Sequence, residues 1–194
     1  MPNAVAAFAE ATAERKRSPR RFFQDLMPKF LRTVQYKTNW DPHGEFAKYL
    51  PQGEAPADAL KDLSTKENAL SIWEIDDRGE NLDRVLAAIA SCRDHIQKID
   101  YVIVDSKHLE DLALAREKKA GATHDEHANA TWHFDLINLS AGDLGRLANR
   151  MLMHGTPERI QDKKLLPLLG KSIENKFVNR QDLHQNLRAK FVEH

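Results

Sequence analysis

Hydrophobic and polar positions between residues 70 and 105 predict a strand, a helix and a second strand. Residues 70–75 and 101–104 are strand-like apolar runs bounded by acidic residues. The stretch between them carries apolar side chains at helical spacing, at Leu82, Val85, Leu86 and Ile89. A strand, helix, strand order of this kind is typical of parallel strands whose connecting helix covers the sheet.

A third strand is predicted downstream, over about residues 131–139. Apolar Trp132, Phe134 and Leu136 alternate there with polar His133 and Asp135, the period of a half-exposed strand. We therefore expect an α/β fold. Its small parallel or mixed three-stranded sheet would use residues 70–76, 101–105 and 131–139, covered by helices, with further helical segments at the N- and C-termini.

The N-terminal part of the chain is predicted to be helical. A wide apolar stripe runs along residues 18–37, and Pro28 within it predicts a kink. Prolines and glycines then indicate a long loop over residues 38–69. The expected organisation is a helical segment 1–37, a connecting loop 38–69 and an α/β core with C-terminal helices over 70–194, together forming one compact domain.

Helix signals also occur at two later places. Asp77 and Glu80 have the spacing of a capping box before the first predicted helix. Thr156 and Pro157 are expected to start a C-terminal helix that Pro167 ends or bends.

Composition and charge favour a cytoplasmic globular protein. Of 194 residues, 41% are hydrophobic and 30% charged, and 29 basic residues balance 29 acidic ones. Overall charge therefore gives no attraction to nucleic acid or to an anionic membrane. The single cysteine, Cys92, fits a reducing compartment, and the sequence has neither a membrane-spanning apolar run nor a signal-peptide pattern.

Acidic residues follow both strands of the first predicted unit and suggest one chemistry. Asp76 and Asp105 would lie at the same sheet edge, where carboxylates could bind Mg²⁺, and Lys107 could stabilise a phosphate. The run from Val104 to Lys107 resembles the catalytic strand of restriction-type nucleases, which implies a second acidic strand that the sequence does not place. Helix capping by Asp77 and Ser106 is the simpler interpretation.

Histidines form a second candidate site. His124 and His127 are three residues apart, and His133 could supply a third metal ligand from the following strand. Their spacing matches no zinc signature, so we favour a solvated polar loop and no metal.

A basic run near the N-terminus is the third candidate. It could contact phosphates, but no recognition motif accompanies it and the balanced charge argues against a dedicated nucleic-acid-binding protein. The run consists of Arg15, Lys16, Arg17, Arg20 and Arg21.

The absence of a glycine-rich phosphate loop or a nucleophile motif favours a non-catalytic protein without a cofactor. We hypothesise a protein–protein interaction module, such as an adaptor, accessory or antitoxin-like partner. Aromatic residues that could anchor its partner protein are Trp40, Phe46, Tyr49, Phe22 and Phe23. The alternative hypothesis is a Mg²⁺-dependent phosphodiester hydrolase, or nuclease, that uses Asp76, Asp105 and Lys107.

Overall fold

A computed structural model describes residues 27–40 and 49–191 of the chain. Its strands are β1 (Lys29–Val34), β2 (Leu70–Ile75), β3 (Lys98–Asp105), β4 (Arg116–Lys118), β5 (His133–Leu136) and β6 (Thr156–Gln161). Its α-helices are α1 (Tyr36–Asn39), α2 (Ala59–Asp62), α3 (Leu82–Ser91), α4 (Ser106–Glu110), α5 (Glu126–Trp132), α6 (Ala141–His154), α7 (Asp162–Glu174) and α8 (Gln185–Arg188). Short 3-10 turns occur at Arg180–Asp182 and Ala189–Phe191.

The described strands form one six-stranded sheet in the order β4-β5-β2-β1-β3-β6, and every neighbouring pair is antiparallel. The prediction of a small, parallel or mixed three-stranded sheet is therefore wrong, although the protein is α/β overall. The expected segments near 70–76, 101–105 and 131–139 do contain strands, but β2 and β3 are not paired. They run in the same direction on either side of β1, which separates them.

β1 corrects the prediction that residues 29–34 continue an N-terminal helix. Proline disfavours a helical conformation in the residue before it and removes one backbone donor, and the extended segment begins directly after Pro28. Phe30 and Leu31 are both buried and point to opposite faces of the sheet. An apolar run that is buried on two faces therefore resembled a wide helical stripe. The other residues of the predicted N-terminal helices, 1–26, lie outside the described residues.

Helices cover both faces of the sheet and create two core clusters. The first core cluster contains Leu31, Trp73 and Ile75 from the sheet, packed against apolar side chains of α3, α5, α7 and α8. The second core cluster contains Phe30 and other strand residues of the opposite face, packed with residues of α2, α4 and α6. The sheet is consequently the middle of three layers.

The side chain of Arg32 on β1 forms hydrogen bonds with backbone carbonyl groups of α2 and β2. Its guanidinium donates to the carbonyl oxygen of Ser71 at 2.9 Å, and to that of Asp62 at 2.7 and 3.2 Å. Burial lowers the pKa of Arg32, and the nearby charge of Asp62 partly offsets this effect. The polar contacts explain how a cation is accommodated on a central strand.

The expected helix at Thr156 is also corrected, because residues 156–161 form the edge strand β6. Pro157 is compatible with this position since β6 pairs only with β3 among the described strands. Helix α7 begins after β6 and contains Pro167 within its span, rather than ending there.

Candidate functional site

A cleft of about 320 Å³ lies at the end of the sheet where β2 and β3 finish. Lys29, the first residue of β1, is opposite Ile75 of β2 and Asp105 of β3 in the strand register. The two acidic strand ends therefore flank one lysine. The lining of this cleft, which we call the acidic cleft, includes Lys29, Asp76, Asp77, Asp105, His154 and Glu158.

The carboxylate of Asp76 accepts hydrogen bonds from backbone amides just before α3. One carboxylate oxygen accepts the backbone N–H of Glu80 at 2.7 Å and the other accepts that of Asn81 at 2.9 Å. The side chain of Asn81 returns a bond by accepting the backbone N–H of Asp76 at 3.0 Å. Asp76, rather than the expected Asp77, thus satisfies the amides at this helix start.

Asp105 is half-exposed and lies 3.6 Å from the ammonium of Lys107. The expected helix cap at Ser106 is not formed: its backbone N–H bonds to the carbonyl of Pro28, while its buried hydroxyl has no hydrogen-bond partner in the described chain. The two residues assigned to phosphate chemistry, Asp105 and Lys107, are therefore neighbours that pair with each other.

A stacked histidine pair borders the acidic cleft. The rings of His108 on α4 and His154 at the end of α6 are 4.1 Å apart and nearly parallel, at 7°. Burial lowers the pKa of His108, as do the charges of His154, Lys107 and Arg150, with Asp105 acting in the opposite direction. Burial and the neighbouring positive charges thus favour a neutral His108.

On the β6 side of the cleft, the hydroxyl of Tyr101 donates to a carboxylate oxygen of Glu158 at 2.7 Å. Burial of the phenol, followed by the bond to Glu158, raises the pKa of Tyr101. The phenol therefore acts as a hydrogen-bond donor that orients the carboxylate.

The two carboxylates expected to bind magnesium already have partners within the protein. Both oxygens of Asp76 already accept backbone N–H groups, and Asp105 is beside a lysine. Among the residues that the structure describes, no group of three His, Cys, Asp or Glu side chains is placed to share one metal ion.

The structure places His133 outside the pocket that His124 and His127 share. His124 and His127 line an open pocket around Arg84 and Asp125. His133 is buried on β5, where its Nδ1 lies 2.7 Å from the carbonyl oxygen of Lys119 and its ring meets Trp73 edge-on. His133 is thus part of the interior packing.

The predicted aromatic anchors are in different environments. Trp40 is only 1% exposed and belongs to the second core cluster, with its indole N–H donating to a carboxylate oxygen of Asp62 at 2.7 Å. Trp40 therefore packs in the protein's own core. Tyr49 is 74% exposed. Phe22, Phe23 and Phe46 lie outside the described residues.

The basic run at Arg15, Lys16, Arg17, Arg20 and Arg21 also lies outside the described residues. No helix within residues 27–40 or 49–191 has the length and apolar character needed to cross a membrane.

Sequence reasoning missed Lys29, His108, His154 and Glu158. The positions of Lys29 and Glu158 in the acidic cleft depend on β1 and β6, both of which were predicted as helix. His154 reaches the cleft from the end of α6, and His108 on α4 stacks on it. No local signal places Lys29, because proline restricts the residue before it and is compatible with a helix after it.

Comparisons with protein-family models, with curated proteins and with solved structures found no match for this chain.

Proposed function

We propose that the protein is a non-catalytic interaction module that binds another protein through an apolar surface formed by residues 49–63 and α6. The observation that supports this proposal is the grouping of large exposed apolar side chains in these two segments. Met153 is 53% exposed, Leu60 is 40% exposed, and Tyr49 adds an aromatic ring. Methionine and tyrosine are enriched in protein interfaces.

The two segments lie against each other. The backbone N–H of Ala55 donates to the side-chain oxygen of Asn149 on α6 at 2.8 Å. Gly53 packs so closely on Met153 that an added Cβ would lie 2.9 Å from its sulfur. Helix α2, which carries Leu60, also contacts α6. These contacts favour one continuous partner surface over isolated apolar residues.

The state of the acidic residues supports a binding role over a catalytic one. Asp76 is used in starting a helix, and Asp105 pairs with Lys107. Metal binding by Asp76 would compete with its two backbone N–H bonds, and metal binding by Asp105 would compete with its ion pair to Lys107.

The test begins with a photo-crosslinking amino acid at Met153 in the full chain, produced in its native host. We expect one partner protein to be crosslinked and identified by mass spectrometry. Binding of that purified partner is then measured by calorimetry. Met153→Asp and Leu60→Asp should each weaken binding by about tenfold or more, since an acidic group would be desolvated in the interface.

Gln185→Asp is the matched control, because it adds the same charge at an exposed position on α8, on the opposite side of the sheet. It should leave binding unchanged. All three variants should keep the melting temperature of the parent protein, since the replaced side chains are exposed. Equal binding by Met153→Asp and the control would contradict the proposal.

The hydrolase alternative makes a different prediction about metal ions. A catalytic carboxylate pair should raise the melting temperature by several degrees in Mg²⁺ or Mn²⁺, and Asp105→Asn should abolish that rise. For an interaction module we expect no shift with either ion. A metal-dependent shift that requires Asp105 would replace the proposed function with the hydrolase.

A further inference from the structure

A second cleft, of about 470 Å³, lies at the opposite end of the strands, where β1 ends and β3 begins. Val34 at the end of β1 is opposite Asp100 in the strand register. The turn between α3 and β3 supplies Arg93, His95 and Gln97, and the first residue of β3 supplies Lys98. Its volume falls in the range of small-molecule sites.

The electrostatics of this cleft are positive. Asp100 is its acidic residue, and that carboxylate is bound by the guanidinium of Arg159, with an N–O distance of 2.7 Å. The bond from Arg159 is the largest cause of a lowered pKa for Asp100. Since Asp100 and Arg159 neutralise each other, Arg93 and Lys98 are left as excess positive charges.

The guanidinium of Arg93 has few hydrogen-bond acceptors around it. One of its nitrogens donates to the carbonyl oxygen of Lys98 at 3.0 Å. Within residues 27–40 and 49–191, no carboxylate forms an ion pair with either Arg93 or Lys98. Burial lowers the pKa of Arg93, and the charge of Asp100 only partly offsets that effect. A partly desolvated guanidinium with unused donors is stabilised by an anion.

We propose that this cleft binds the phosphate group of a small phosphorylated molecule, with Arg93 as the directional donor and Lys98 as a second positive charge. An arginine fork matches the geometry of phosphate oxygens, and a lysine adds a mobile point charge. Gln97 lies between these two cations in sequence and offers a neutral amide to the same ligand. The site is independent of the proposed interaction surface on α6.

Calorimetric titration of the full chain at low ionic strength tests the proposal, with inorganic phosphate, adenosine monophosphate and adenosine as probes. We expect saturable binding of both phosphate-bearing probes and none of adenosine. Tighter binding of the monophosphate would identify a phosphate ester as the ligand class, whereas equal affinity would identify free phosphate. Both results support a phosphate site.

Variants then locate the bound phosphate. Lys98→Gln and Arg93→Gln should each weaken binding by about tenfold or more, which is the scale of a charged hydrogen bond. Gln97→Glu should abolish binding through repulsion without removing any hydrogen bond found in the structure. Lys171→Gln, which removes an exposed charge from α7, is the matched control and should leave affinity unchanged.

Lys98→Gln and Gln97→Glu change exposed side chains, so they remain informative if Arg93→Gln does not fold. The proposal is overturned if neither phosphate-bearing probe binds. It is equally overturned if Lys171→Gln weakens binding as much as Lys98→Gln, because the interaction would then be non-specific charge attraction.

Discussion

At the scale of single residues, the ion pair between Arg84 and Asp125 shows how one buried charge is stabilised from several directions. Asp125 has a side chain only 1% exposed, and it receives two guanidinium bonds, at 2.7 and 2.9 Å. The same carboxylate accepts the backbone N–H of Ala128 and thereby caps α5. The guanidinium carbon of Arg84 lies 3.5 Å from the ring centroid of Phe177.

Asp125→Ala should lower the free energy of unfolding by about 3–5 kcal/mol, because it leaves the guanidinium without its charge partner and also removes a helix cap. Urea denaturation followed by circular dichroism measures this loss. Asp125→Asn keeps a capping oxygen and should cost less than Asp125→Ala. A loss below about 1 kcal/mol for the alanine variant would show that the pair contributes little.

At the scale of elements, Gly145 within α6 and Gly155 directly after it illustrate opposite uses of glycine. Gly155 follows the helix, and a Cβ there would overlap the side chain of Val102 and the carbonyl of Met151. Gly145 is inside the helix, and a Cβ there would have nothing within 4 Å. The first glycine permits close packing on β3, whereas the second only weakens the helix.

Gly155→Ala should therefore destabilise the protein by about 1–3 kcal/mol through overpacking. Gly145→Ala is its matched control and should stabilise by about 0.5–1 kcal/mol, the gain of alanine over glycine in a helix interior. Chemical denaturation of both variants under the same conditions measures the difference. Two changes of the same sign would mean that α6 can shift away from β3.

His108, which stacks on His154 where α4 meets α6, predicts how the free energy of unfolding depends on pH. Because the pKa of His108 is lowered in the folded protein, the unfolded chain binds more protons below its ordinary value of 6.5. Stability should therefore be fully present above that pH and fall as the solution is acidified below it. His108→Gln should reduce the slope of unfolding free energy between pH 7.5 and pH 5.

Urea midpoints at several pH values in this range, for the parent and for His108→Gln, provide the measurement. Identical slopes for the parent and for His108→Gln would show that the stacked pair has no proton-linked role.

The sequence predicts those elements that local periodicity determines, and it fails for the element that long-range strand pairing determines. Strands β2 and β3 and helix α3 follow from local periodicity. The two strands run in the same direction, but they are not the paired neighbours that were expected, because β1 lies between them. Local periodicity does not predict strand β1. Phe30 and Leu31 face different layers and both are apolar, so the alternation of apolar and polar residues expected of a half-exposed strand is missing. The pairing of β1 between β2 and β3 is a long-range event, so neither Lys29 in the acidic cleft nor the antiparallel topology could be inferred locally.

At the scale of the whole molecule, β1 connects the two core clusters. Leu31 is fully buried in the first core cluster and Phe30 is 2% exposed in the second. Neither layer can lose its packing on β1 without disturbing the strand that the other layer also uses. This arrangement favours cooperative unfolding of both layers together.

Tryptophan fluorescence can test this cooperativity, since Trp73 belongs to the first core cluster and Trp40 to the second. In a Trp132→Phe background, a further Trp40→Phe or Trp73→Phe change leaves one reporter on each side of the sheet. For each single-tryptophan protein we expect its fluorescence and its circular dichroism to give coincident urea transitions. Leu31→Ala should shift both reporters to lower urea together and cost about 2–5 kcal/mol. Transitions that separate, with Trp73 moving and Trp40 fixed, would mean that the layers unfold independently despite sharing β1.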